Sequence, residues 1–180
     1  MILLKTAEFL KKINKWICHI GEACIAGLMI IITIDVILRM FLNSPILGAY
    51  EICQFLLLIS LYGSFAYLQS EKGHVSVNIL IDKFPAKVRT FIMMLTYLVA
   101  VVFCAFWAYG AFAQGLVYVA SKNETALLKI PYFPFYFFEG VCMAMMAITL
   151  FIDFLTLAGA LGNRRLAEVV AKWEGASTSD

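Results

Sequence analysis

"FIMMLTYLVAVVFCAFWAYGAFAQGLVYVA", residues 91–120, carries no charged side chain over 30 positions. As a helix this stretch is about 45 Å long, against a hydrocarbon core of about 30 Å, so it crosses a bilayer with length left to tilt, bend or protrude. Three more apolar runs read the same way, at about 17–42, 46–69 and 135–161. Together they predict an all-α integral membrane protein with four transmembrane helices, forming a single membrane domain over residues 1–180. Composition agrees: 63% of the residues are hydrophobic and 14% charged, and the mean hydropathy is +0.89. A soluble domain carries about 25% charged residues, and a globule of this size cannot hide so much apolar surface from water.

Ahead of the first span, Ile2, Thr6, Phe9, Ile13 and Trp16 form one stripe of a helical wheel, with Lys5, Glu8, Lys12 and Lys15 opposite. The pattern predicts an amphipathic helix over 1–16 lying in the membrane interface, the alternative being the polar start of the first span. No small-residue cleavage site follows a short apolar core, so the first span is expected to remain as an anchor. Lys and Arg set the direction. Eleven lie in the amino-terminal segment, the 70–90 connection and the 162–180 tail, against three in the other two connections. The positive-inside rule then places both termini and the 70–90 connection in the cytoplasm. Val75, Ile79 and Leu80 suit a short surface helix in that connection, bounded at Phe84 by Pro85.

Ionisable groups inside a span are costly and point to a protein interior or a wet cavity. Five acids lie in or beside the spans: Glu22, Asp35, Glu51, Glu139 and Asp153. Asp35 and Arg39 have the i,i+4 spacing of an ion pair, while Arg39 and Glu51 share one end of adjacent helices and make a second candidate pair. Glu139 and Asp153 have no basic residue at matching depth. For Glu22 and Asp153, snorkelling to the nearer interface competes with burial; Glu51 and Glu139 read as contacts to something beyond the chain. Small residues recur at Cys104, Ala108, Ala111 and Gly115, at Gly140, Ala144 and Ala147, at Ser60, Gly63 and Ser64, and at Ala23 and Gly27. Such stripes let helices approach closely, either within the chain or against a partner.

Other chemistry finds little support. The five cysteines show no CxxC or metal-ligand spacing and sit in or beside apolar runs. His19 starts the first span and His74 lies in a connection, so they do not make a bis-histidine haem site on facing helices. No catalytic constellation or phosphate loop appears, and the dispersed basic residues make no nucleic-acid surface. The reading is a non-enzyme without a cofactor.

"RMFLNSP" at 39–45, then Glu51, "GHVSVNILIDKFP" at 73–85 and "ETALLKIPYFPFY" at 124–136 occur in this order around four spans. In this the chain resembles the small membrane subunit (DctQ type) of tripartite ATP-independent periplasmic, or TRAP, transporters, over nearly its whole length. The resemblance implies a multi-pass protein of the bacterial inner membrane without catalytic activity. It would pack against a large multi-span membrane subunit and help dock a periplasmic binding protein, for sodium-driven uptake of an organic anion such as a C4-dicarboxylate or sialic acid. It further implies structural or partner-contact roles for Arg39, Glu51, Pro131 and Glu139, and for Gly73 and His74 at the cytoplasmic turn. A competing reading is a self-sufficient, proton-coupled exporter or channel acting as a homo-oligomer through Glu22 or Glu51.

Overall fold

The computed structural model describes residues 2–71 and 86–160, with side chains over 7–71 and 91–159. Within these, α1 (Ile2–Leu42), α2 (Ala49–Ser70), α3 (Ala86–Ser121) and α4 (Phe133–Ala160) follow one another. All four are long and apolar enough to cross a membrane. Gly73 and His74 lie outside the described residues, as do the expected surface helix at 75–80 with its boundary at Pro85 and the tail over 162–180.

The amphipathic opening and the first span belong to one helix of 41 residues. At about 1.5 Å per residue it is about 60 Å long, twice the hydrocarbon thickness, so roughly half of it lies beyond the apolar core. Residue 14, inside the segment expected to lie apart in the interface, is fully buried against the bundle. The second helix begins at Ala49, three residues after the expected Ile46, because the chain must first turn. Asn43 (φ 45°) and Gly48 (φ 85°) take left-handed conformations there, and the Ala49 N–H donates to the Ile46 carbonyl at 3.2 Å. Gly48 is required twice over: its φ suits glycine, and a Cβ would sit 2.7 Å from Leu128.

The helices pack in the order α1–α2–α4–α3, with a lighter contact of α1 on α4. Small residues set the closest approaches. Cys104, Ala108 and Ala111 of α3 are buried, and Cys104 and Ala108 form a core with Met143 and Leu150 of α4, flanked by Ala144 and Ala147. Between α1 and α2, a Cβ on Gly21 would meet the Ser60 carbonyl oxygen at 3.1 Å. The small-residue stripes of the second, third and fourth spans are therefore used inside the chain, where close packing replaces the hydrophobic effect that lipid does not supply. Ala23 of the first span faces outward.

Candidate functional site

Four carboxylates, Asp35, Glu51, Glu139 and Asp153, are buried, each between 6% and 8% exposed. Glu51 occupies the first turn of α2, where the positive end of the helix favours a carboxylate. Its Oε1 accepts the Leu127 N–H at 2.8 Å and its Oε2 accepts the Leu128 N–H at 2.9 Å. Those donors belong to the α3–α4 loop, an irregular segment whose backbone has few partners of its own. The loop closes on itself through Thr125, which donates its N–H to the Ile130 carbonyl and receives the Ile130 N–H on Oγ1, both at 3.0 Å. Pro131 lies across from Glu124 in the same loop. Beneath it, Phe55 stacks on Phe135 with ring centroids 3.8 Å apart, and Tyr118 stacks on Tyr136 at 4.8 Å.

Asp35 holds the neighbouring turn. Its Oδ2 takes the Arg39 Nη2 at 2.8 Å, and its Oδ1 accepts the Ile46 N–H at 2.8 Å. Of the two pairings open to Arg39 in the sequence, the structure makes the one with Asp35, because backbone donors already occupy Glu51. The Arg39 side chain itself is mostly exposed.

Midway along the bundle, Glu139 of α4 accepts the indole N–H of Trp107 on α3 at 2.7 Å, with Tyr62 of α2 a further partner. One carboxylate thus joins three helices. Both Glu51 and Glu139 differ here from the outward-facing contacts expected of them: each is turned into the chain and bonded there. The physical reason is that neutral donors, a loop backbone and an indole, satisfy a carboxylate without a basic residue at the same depth.

At the opposite end, Gln69 Nε2 donates to Asp153 Oδ2 at 2.9 Å. Asn14 Nδ2 reaches the Ala66 carbonyl at 3.2 Å, Ser70 Oγ at 3.0 Å and Thr149 Oγ1 at 3.4 Å, tying α1 to α2 and α4. Lys11 and Glu71 form an exposed pair at 3.0 Å. Partial burial raises the Glu71 pKa, but Lys11 and Tyr67 outweigh it and hold the carboxyl below its ordinary value. Glu22 is the exception among the five acids of the spans: its side chain is 62% exposed and its Oε2 lies 2.8 Å from His19 Nδ1.

Asn14, Gln69, Trp107 and Thr125 were not evident as site residues in the sequence. Asn14 carried a readable signal, since it lies four and seven residues before Cys18 and Gly21 and shares their buried face. Trp107 and Thr125 carried none, because their partners lie in other segments. Among the described residues no group of three His, Cys, Asp or Glu side chains is placed to hold a metal ion. Chemically, the buried carboxylates act as ties between segments.

A family model described as tripartite ATP-independent periplasmic transporters, DctQ component, matches residues 28–159, a stretch that includes Asp35, Arg39, Glu51, Pro131 and Glu139. No curated protein matches the sequence significantly.

Proposed function

The chain belongs to the DctQ component family of TRAP transporters, and we propose that it serves as a non-catalytic small subunit packed against a large multi-span membrane subunit. It stabilises that subunit and presents surface to a periplasmic binding protein during sodium-driven uptake of an organic anion, a carboxylate such as a C4-dicarboxylate or sialic acid. The membrane is the bacterial inner membrane, with both termini in the cytoplasm as the distribution of Lys and Arg favours. The loops held by Asp35 and Glu51 then face the periplasm, where a binding protein docks.

The observation that supports a scaffold role best is the engagement of all four buried carboxylates by donors of the same chain, in ties that join loop to helix or helix to helix. A carboxylate so engaged would have to break a tie to bind and release an ion in each cycle. In this reading Arg39, Glu51 and Pro131 shape the periplasmic end, Glu139 fixes the spacing of three helices, and Gly73 and His74 serve the cytoplasmic turn.

Purification in mild detergent tests this directly: a much larger hydrophobic protein is expected to co-isolate. Liposomes containing this chain alone should show no uptake, and uptake should appear when the large subunit and the binding protein are added. Robust flux through this chain by itself would establish the self-sufficient carrier instead.

A further inference from the structure

Of the five acids in or beside the spans, four are buried and internally bonded, while Glu22 stands on the outer surface of α1 with His19. Their rotational positions are telling. Asn14, Gly21 and Asp35 define the side of α1 that faces the bundle, and each is buried. His19, Ala23, Ala26, Ile30 and Thr33 lie on the opposite side, and all are exposed. This outer face thus combines a bonded polar pair with two alanines that leave room for another backbone. A face meant for acyl chains has no use for either feature, since polar groups in hydrocarbon are costly and small residues forgo contact with lipid. The stripes at Cys104–Gly115, Gly140–Ala147 and Ser60–Ser64 are consumed by internal packing. The α3 helix also leaves Gly110 open to its surroundings, but with no charged side chain in the span beside it. Among the described residues, the outer face of α1 is therefore the one that pairs small residues with an exposed carboxylate.

We infer that the outer face of α1, centred on His19 and Glu22, is the docking surface for a transmembrane helix of the large subunit that brings a cation or hydrogen-bond donor to Glu22. This rests on the reading above and adds where the partner sits and what chemistry it presents. Charge complementarity names the occupant: the Glu22 carboxylate, with His19 on Oε2 and only the weak Cys18 thiol at 3.8 Å on Oε1, has lone pairs to spare, and an apolar lipid tail offers them nothing. Ala23 and Ala26 let the partner backbone come close enough for its side chain to reach the pair.

The test uses the full chain co-expressed with the large membrane subunit of its transporter. A benzophenone photo-cross-linking side chain replaces Ala26 in one sample and the exposed Phe106 of α3 in another. The expected result is a covalent adduct with the large subunit from position 26 and none from position 106. The double variant His19→Leu, Glu22→Leu should lower the recovered complex by about tenfold, the size of a lost interhelical polar contact, while the isolated chain melts at the same temperature or higher. A complex that forms while position 26 labels lipid alone, or one recovered undiminished with both leucines in place, overturns the docking face and leaves the subunit reading intact. Failure of the unsubstituted chain to bring down any large membrane protein instead overturns the subunit reading, and this inference with it.

Discussion

The two ends of the bundle hold themselves together by different chemistry. At the end formed by the α1–α2 and α3–α4 loops, carboxylates do the holding: Glu51 takes the backbone of Leu127 and Leu128, and Asp35 takes that of Ile46. At the end carrying Asn14 and Gln69, amides and hydroxyls meet one another, a helix carbonyl and the Asp153 carboxylate. The contrast follows from what each end has to satisfy. Loops expose backbone N–H groups, for which a charged acceptor is the strongest answer. Helices have used their own N–H groups, so only side chains remain to link them, and the links made by Asn14, neutral on both sides, contribute less.

Substitutions that break one end and spare the other test this difference. Glu51→Gln should have the largest effect, because the amide can accept at one oxygen only and leaves a buried N–H facing a donor. A loss of about 2 kcal/mol is expected, read as a lower melting temperature in detergent, together with faster tryptic cleavage after Lys122 or Lys129 in the released loop. Asn14→Leu should cost about 1 kcal/mol or less. Ser70 and Thr149 keep their hydrogen bonds to the carbonyls of Ala66 and Met145, and the substitution removes the Asn14 Oδ1, which has no partner among the described contacts. Equal losses at Asn14 and Glu51 in parallel thermal melts would erase the distinction between the ends.

Arg39→Ala sharpens the comparison within the loop end. Asp35 retains the Ile46 N–H, and the guanidinium it loses is largely exposed, so the isolated chain should lose about 0.5 kcal/mol. A clear drop in recovered complex with an unchanged melting temperature would instead place Arg39 at a subunit contact. The smallest effect belongs to Lys11 and Glu71. Because the folded-state pKa of Glu71 is lowered, its contribution is present above the ordinary carboxylate value of 4.5 and fades as pH falls through the lowered value. Melting temperatures measured from neutral to acidic pH should show a shallow decline that Glu71→Gln flattens.

Much of the architecture was legible in the primary structure. Long, strongly apolar runs, one of them free of charge over 30 residues, dictate spans because a helix satisfies its own backbone in lipid. Spacing alone made Asp35 and Arg39 a candidate pair, since both sit on one helix where i,i+4 neighbours meet. The small residues at 104, 108 and 111 were readable as a packing stripe for the same reason.

What periodicity leaves open is which segment answers another. Whether Glu51 looked outward or inward depended on where a loop more than 70 residues later would fold, and only the packed chain decides that. Glu139 likewise lacked a basic mate in the sequence and found an indole, because the α3–α4 approach set by Cys104 and Ala108 brings Trp107 alongside. Local sequence thus determined that the chain enters the membrane, how many times it crosses, and which face of each helix could pack. Tertiary structure decided which acids are spent inside and left Glu22 outside, since burial is a property of neighbours and neighbours come from distant stretches of chain.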